Sequence, residues 1–204
     1  MHNHFLNYLL IAGVFIGIRN PLLFGQGLEK QKLLDVNFEF QAYPTGLIPG
    51  IQLEKGFAHH HAVQLRFGYN WVRHRGLGVH EDERGNGFGF TVGYKRYFKR
   101  NFYRWFAGIR NDFWFNSLNW RDNIGEANEI SGTTDITVLQ PTIEGGYLFE
   151  MNANENSITF APTLALGFEI NVREDGAPVG DGLIVLLGFQ VGYRFNAARI
   201  GNIR

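Results

Sequence analysis

Three consecutive histidines, His59, His60 and His61, form the most conspicuous group of possible metal ligands in the sequence. Consecutive residues of a strand point to opposite faces, so these three imidazoles cannot all reach one metal ion. The chain has no cysteine, which also excludes a thiolate metal site, a disulfide framework and a cysteine nucleophile. We therefore expect a solvated turn at this position, with no metal and no cofactor.

Residues that could serve as catalytic bases or nucleophiles lie mainly in two predicted loops. They are His74, His80, Glu81, Asp82 and Glu83 in the loop 73–86, and Ser117 and Ser131 in the loop 117–135. A serine nucleophile needs its base within hydrogen-bond distance, and no His-x-Ser pair falls on a predicted strand. We expect solvated, mobile loops here and predict no catalytic residues.

Ten charged residues share the side of the predicted strands that lies opposite the apolar residues. They are Glu39, Glu54, Arg66, Lys95, Arg104, Arg110, Asp112, Glu144, Glu169 and Arg194. The acids and bases balance, and an unpaired charge inside a narrow barrel costs on the order of several kcal/mol. We predict that these side chains form a structural network of ion pairs and hydrogen bonds that fills the interior. A gated ion pathway is the alternative.

The composition favours a single all-β domain. In 204 residues there are 26 Gly, 19 Phe, 8 Tyr and 4 Trp, and glycines and aromatic residues alternate along the same segments. Nineteen basic and nineteen acidic residues leave no net charge, so the balance gives no electrostatic signature for nucleic-acid binding. The slightly negative mean hydropathy argues against a helical membrane protein but is compatible with a barrel.

Eight segments alternate apolar and polar residues with the period of a β-strand. They span residues 33–42, 50–58, 62–72, 87–98, 102–116, 137–150, 157–173 and 183–195. The run Phe113-Trp114-Phe115 breaks the alternation and predicts a bulge or a strand that extends above the membrane. Pro141 and Pro162 each remove a ladder donor and predict a bulge or a strand end.

The connections alternate in length, which predicts an up-and-down barrel with an even number of strands. Those at 59–61, 99–101 and 152–156 are short, whereas those at 73–86, 117–135 and 174–182 are longer. Only the first connection at the long-loop end, 43–49, departs from this trend by being short. Both termini then lie at the end with the short turns, in the periplasm. The last strand must pair with the first, and we expect Arg194 to face Glu39 or a neighbouring acid across that seam.

Residues 1–27 are predicted to be a secretory signal peptide. Leu6–Ile18 is an apolar run of the length expected for its hydrophobic region, and Gly25 and Gly27 suit a cleavage site. No Lys or Arg precedes the run, so a membrane anchor or a later start codon is the alternative. The predicted organisation is a signal peptide at 1–27, a barrel at 28–195 and a short periplasmic tail at 196–204.

These features, with the terminal GYRF motif at 192–195, resemble the small outer-membrane β-barrel proteins of Gram-negative bacteria. The pattern is similar to the transmembrane domain of outer-membrane protein A and most like the barrels of the Bacteroidetes group. The resemblance implies a bacterial outer-membrane location, insertion by the barrel-assembly machinery, and contact with outer-membrane lipid and lipopolysaccharide. Phe195 is followed by nine residues, which departs from the simplest insertion signal of this family.

The predicted fold is therefore an eight-stranded antiparallel transmembrane β-barrel with a side-chain-filled lumen. We expect a structural or interaction role through surface loops, an unidentified protein partner, and no enzymatic activity. An outer-membrane lipid-modifying enzyme is one alternative. A soluble lipocalin-like barrel that binds a small ligand is another, but it should carry its charges outside. Aromatic residues near strand ends favour membrane-interface girdles: Tyr43, Trp71, Tyr94, Tyr97, Tyr103, Trp105, Tyr147 and Tyr193.

A basic stretch at the end of the fourth segment and in the turn after it contains Lys95, Arg96, Lys99 and Arg100. It either contacts periplasmic lipid headgroups or is an ordinary solvated turn.

Overall fold

The computed structural model describes residues 33–99, 102–151 and 156–196. They form β1 (Leu33–Tyr43), β2 (Gly46–Ala58), β3 (His61–Arg75), β4 (Asp82–Lys99), β5 (Tyr103–Asp122), β6 (Ile130–Met151), β7 (Asn156–Asp175) and β8 (Gly182–Asn196). Each strand pairs antiparallel with the next, and β1 pairs with β8. The predicted closed eight-stranded antiparallel barrel is confirmed. The predicted signal peptide at 1–27 and residues 197–204 of the predicted tail lie outside the described residues.

Within the described part of the chain, no helix is long and apolar enough to cross a membrane.

The barrel has two distinct ends. The connections at 76–81, 123–129 and 176–181 define the loop end, whereas Leu33 and the turn at 59–60 lie at the opposite end, the turn end. β4, β5 and β6 extend further towards the loop end than predicted. Outward residues there become polar while the ladder continues, as in the pair Asn119 and Thr133. The apolar alternation therefore ends before the strands do.

Side chains alternate between a buried inner face and an exposed outer face. On β3, Arg66 is 1% exposed and its neighbour Phe67 is 60% exposed. On β5, Arg110 is 2% exposed and Ile109 is 60% exposed. Soluble proteins bury large apolar side chains and expose charges. This barrel does the reverse over most of its height.

The three irregular positions predicted from the sequence are accommodated without bulges. Trp114 points inward between the outward-facing Phe113 and Phe115, and the β4–β5 and β5–β6 registers are continuous there. Pairing is interrupted beside Pro141 and Pro162, but the β6–β7 register is the same on both sides of each proline. The bulge between β6 and β7 occurs at Thr137 and Val138 instead.

The interior has three layers. An apolar cluster fills the loop end and comprises Tyr43, Ile48, Val72, Trp114, Leu118, Ile136, Val138, Ala165, Val179, Ile184 and Leu186. A second cluster fills the turn end and comprises Leu33, Ala62, Tyr97, Phe102, Phe106, Leu148 and Ala161. The charged layer lies between these two apolar plugs. Tyr43 and Tyr97, predicted to join the interfacial girdles, are plug residues because both face inward.

Candidate functional site

The centre of the barrel is occupied by two arginines that share the same acceptors. Arg66 donates hydrogen bonds to Glu39 at 3.1 Å and to Asp112 at 2.9 Å. Arg110 donates to the same two carboxylates, at 3.2 Å in each case. Both guanidinium groups also donate to the Gln41 side-chain oxygen, at 2.6 and 2.7 Å. These shared hydrogen bonds span the lumen, and each buried charge has a partner of opposite charge.

A second set of buried contacts lies next to the central one, towards the turn end. Lys95 donates to Glu54 at 2.8 Å and to Gln190 at 3.2 Å. The Tyr97 hydroxyl donates to the other oxygen of Glu54 at 2.6 Å, and Gln190 donates to Glu39 at 3.1 Å. Gln190 therefore links this set to the central arginines.

The seam between the first and last strands has its own ion pair. Arg194 donates two hydrogen bonds to Asp35, at 2.8 and 2.7 Å, and the two residues are register partners. The same guanidinium donates to the Phe102 carbonyl at 3.0 Å. It thereby ties the barrel wall to the plug at the turn end.

Eight of the ten charged residues predicted for the lumen are buried there: Glu39, Glu54, Arg66, Lys95, Arg110, Asp112, Glu144 and Arg194. Glu169 lies at the mouth of the loop end, in a cavity of about 260 Å³ lined also by His74 and Asp181. The prediction for Arg104 does not hold. Its side chain is exposed and lies over the Tyr103 ring, because positive φ angles at Phe102 and Arg104 disrupt the alternation at the start of β5.

The sequence interpretation missed several members of the network. Gln41, Gln64 and Gln190 supply donors and acceptors between the charges. Asp35 is not among the ten predicted residues, but the expectation that Arg194 faces Glu39 or a neighbouring acid is confirmed, because Asp35 is that acid. All of them continue the alternation of their strands, so the sequence predicts that their side chains face inward. The contacts depend on register, which alternation does not specify.

The loop end carries a second buried polar cluster, centred on Glu83. His74 Nδ1 lies 2.7 Å from the Glu83 carboxylate, which also accepts hydrogen bonds from the backbone N–H groups of Val79, His80 and Gly180. Burial raises the pKa of Glu83, but the bonds from His74 and from these N–H groups outweigh it and hold the pKa below its ordinary value. One carboxylate therefore fastens two loops to the strands.

His80, in the loop 76–81, contacts the end of β5 and the loop 176–181. Its Nδ1 lies 2.7 Å from Asp122, its Nε2 lies 3.0 Å from the Pro178 carbonyl, and its ring stacks on Trp120 at 4.2 Å between centroids. Both nitrogens face acceptors, and only the imidazolium form donates from both. The bonds from His80 and from the Glu81 N–H lower the pKa of Asp122. Of the predicted loop 73–86, only residues 76–81 lie outside the strands. Their contacts form a rim, defined by His74, His80, Glu83, Trp120 and Asp122.

The histidines of the predicted turn do not converge. His60 Nδ1 lies 2.9 Å from the Tyr97 carbonyl, and His61 contacts the Tyr94 hydroxyl. No group of three or more potential metal ligands occurs among the residues that the structure describes.

The two candidate serines at the loop end do not contact His74 within the residues that the structure describes. In that part of the chain, the hydrogen bonds of His74 reach Glu83 and no hydroxyl group. Ser117 and Ser131 are both exposed.

No family model matches the sequence, and no curated protein is significantly similar to it. Among solved structures, the chain is similar to the N-terminal β-barrel domain of Pseudomonas aeruginosa OprF, with 14% identity over 82% of this chain and 100% of that one, at a TM-score of 0.45. It is also similar to Ail of Yersinia pestis, with 12% identity over 82% and 100% of the two chains and a TM-score of 0.43.

Neisserial surface protein A is similar at 9% identity, over 84% of this chain and 99% of that one, with a TM-score of 0.41. Such similarities carry no assignment of function, and the particular affinity to Bacteroidetes barrels stays a prediction. The chain itself is a closed eight-stranded antiparallel barrel with an apolar outer surface, two interior plugs and a charged layer between them.

Proposed function

We propose that this chain is an integral outer-membrane barrel protein whose lumen is closed to ions and whose loop-end rim makes the functional contacts. The observation that carries the proposal is the reversed distribution of side chains. Large apolar residues cover the outer wall, while Arg66, Lys95 and Arg110 are almost completely buried inside. In water the exposed apolar surface would drive association, whereas lipid is its natural surrounding.

The height of the apolar wall supports the same proposal. On β5, the outward residues from Trp105 to Phe115 are apolar except for Asn111, and Ser117 is the next outward residue. On the paired strand β6, the outward face becomes polar from Thr137 to Asp135. A tilted transmembrane strand needs about 9–11 residues, which this band supplies. Trp105, paired with Tyr147, marks the boundary near the turn end.

The packing of the interior favours a closed lumen and argues against an ion pathway. Arg66 and Arg110 are held by shared carboxylates across the centre, and Trp114 and Tyr97 in the plugs are both fully buried. An ion would have to displace both plugs and break the shared pairs. In planar bilayers the purified protein should therefore give no reproducible conductance steps. Steps that disappear when Arg66 and Arg110 are replaced would establish the pathway instead.

The rim is the part of the molecule most suited to contacts at the cell surface. The loops at 76–81 and 176–181 are fixed to each other and to the ends of β4 and β5 through Glu83 and His80, so the barrel presents a defined surface. We place this end outside the cell, because short turns and termini face the periplasm in such barrels. We further infer that the role is structural or interactive and not catalytic. Incubation with lipopolysaccharide should leave the mass of lipid A unchanged, and a mass change would favour the lipid-modifying enzyme.

Membrane fractionation combined with gel mobility before and after heating tests the membrane assignment. We expect the protein in the outer-membrane fraction, requiring detergent for extraction and migrating differently when unheated. Recovery as a detergent-free soluble protein would favour the lipocalin-like alternative. Co-purification from native membranes through the rim tests the interaction role, with Glu83→Gln as the comparison variant that loosens the loops.

A further inference from the structure

The outer wall near the turn end contains an apolar groove with a volume of about 760 Å³. Its lining includes Trp105, Ala107, Ile143, Gly145, Tyr147 and Leu164. Ala107 and Gly145 are register partners, and their small size forms the depression. A Cβ placed on Gly145 would come no closer than 3.8 Å to any neighbouring atom, so this depression is open. The volume falls within the range of about 300–1,000 Å³ that is typical of small-molecule sites.

The positively charged side chain next to this groove is Arg96, which lies on the same row of register-paired residues as the groove. Arg96 on β4 is the partner of Ala107, Ala107 is the partner of Gly145, and Gly145 is the partner of Leu164. Arg96 is exposed and lies between the outward-facing Tyr94 and Phe98 on its own strand. Phe98, which is 62% exposed, lies closer to the turn end than Arg96 does.

Arg96 therefore stands within the lower margin of the apolar wall. It forms no salt bridge with any residue in the described part of the chain, although most interior bases are paired. An arginine that faces lipid destabilises a barrel most at the bilayer centre and much less near the interface. An anionic group at the interface would compensate its charge. The neighbouring aromatic pair Trp105 and Tyr147 is of the type that lies at headgroup level.

We propose that the groove and Arg96 together bind one anionic phospholipid of the periplasmic leaflet. Its phosphate contacts the Arg96 guanidinium, and one acyl chain lies across Ala107 and Gly145 towards Leu164. The charge of Arg96 complements the phosphate, and the apolar lining complements the hydrocarbon. This inference rests on the proposed membrane insertion and on the turn end facing the periplasm.

The test is native mass spectrometry of the full-length barrel taken from equimolar phosphatidylglycerol and phosphatidylethanolamine vesicles. We expect the wild type to retain phosphatidylglycerol preferentially. Arg96→Gln should lower that preference about fivefold, since one interfacial charge contributes about 1 kcal/mol. Ala107→Leu should fill the groove and remove the retained lipid. Arg173→Gln and Ala42→Leu change matched residues near the loop end and should have no effect.

Heat-dependent gel mobility shows whether each variant inserts and folds, and Gly145→Leu provides a second way to fill the groove. Equal retention of the two lipids, or unchanged retention in Arg96→Gln or in both groove variants, would overturn the inference. A dimer that Ala107→Leu dissociates would also overturn it, since the occupant would then be a second copy of the chain. Failure of the wild type to insert would refute the membrane proposal and this inference with it, whereas insertion without lipid preference refutes this inference alone.

Discussion

Arg194 near the end of β8 holds Asp35 near the start of β1 through two hydrogen bonds, at 2.8 and 2.7 Å, across the seam that closes the barrel. Both side chains are buried, at 3% exposure each. The pairing joins residues 159 positions apart in the sequence. A bidentate arginine–carboxylate contact is geometrically demanding, so it favours one register of the closing strands over its neighbours.

Removing one partner of this seam pair should destabilise the barrel more than removing both. Arg194→Gln leaves Asp35 buried without its partner, and we expect a loss of about 3–5 kcal/mol in the free energy of unfolding. Combining it with Asp35→Asn should restore part of that loss. Urea unfolding in lipid vesicles measures both, with the exposed Arg173→Gln as control. An additive double variant would mean that the two residues do not interact.

Replacing glycine by alanine should destabilise the barrel at Gly89 and have almost no effect on stability at Gly145. A Cβ at Gly89 would collide with the Phe113 carbonyl and the Trp114 ring, whereas Gly145 has room for one. We expect Gly89→Ala to cost about 1–3 kcal/mol through overpacking and Gly145→Ala to be nearly neutral. The same unfolding measurement compares them. Equal effects would show that the inner face of β4 is not packed against Trp114.

The plug at the loop end should matter far more than an outer-wall residue of the same type. Trp114 is fully buried and Trp105 is 61% exposed. Trp114→Ala should cost about 3–5 kcal/mol, because it leaves a cavity in the plug. Trp105→Ala should cost about 1 kcal/mol, mainly the lost contact with Tyr147. Unfolding curves that rank the two variants in the opposite order would contradict the layered interior.

The rim should loosen in acid. The pKa of Asp122 in the folded rim is lower than its ordinary value of 3.8. Ionised Asp122 therefore stabilises the folded rim fully above pH 3.8, and this stabilisation is lost as the pH falls through the lowered pKa. Because His80 stacks on Trp120, the Trp120 fluorescence should report the change. We define that signal as the difference between wild type and Trp120→Phe. The transition should fall below pH 3.8 and should be absent in Asp122→Asn; a transition unchanged in that variant would assign the loosening to another group.

The sequence specified the wall of this barrel better than its interior. Strict alternation, as at Arg66 and Phe67, identified both faces, the strand number and the seam between β1 and β8. Alternation does not show which residues face inward where both faces of a strand are apolar. Trp114, Ile184 and Leu186 lie in such stretches, so the plug that they form was not foreseen.

The rim was missed for a different reason. His74 continues the inward periodicity of β3, but its partnership with Glu83 depends on the exact register of the β3–β4 hairpin. The outer face at that level is polar, as a loop would be, so the pattern predicts solvated connections where the structure has paired strands. Arg104 was misplaced because positive φ angles near the turn are invisible in a polarity pattern.

Lipid contact with the outer wall and a sealed inner plug are the two central properties of the proposed membrane barrel. Two single-tryptophan variants, retaining Trp105 or Trp114 with the other tryptophans changed to Phe, test both points at once in vesicles of brominated phospholipid. We expect strong quenching of Trp105 fluorescence and little quenching of Trp114, which is fully buried. Equal quenching of the two, or quenching of neither, would contradict a sealed barrel embedded in lipid.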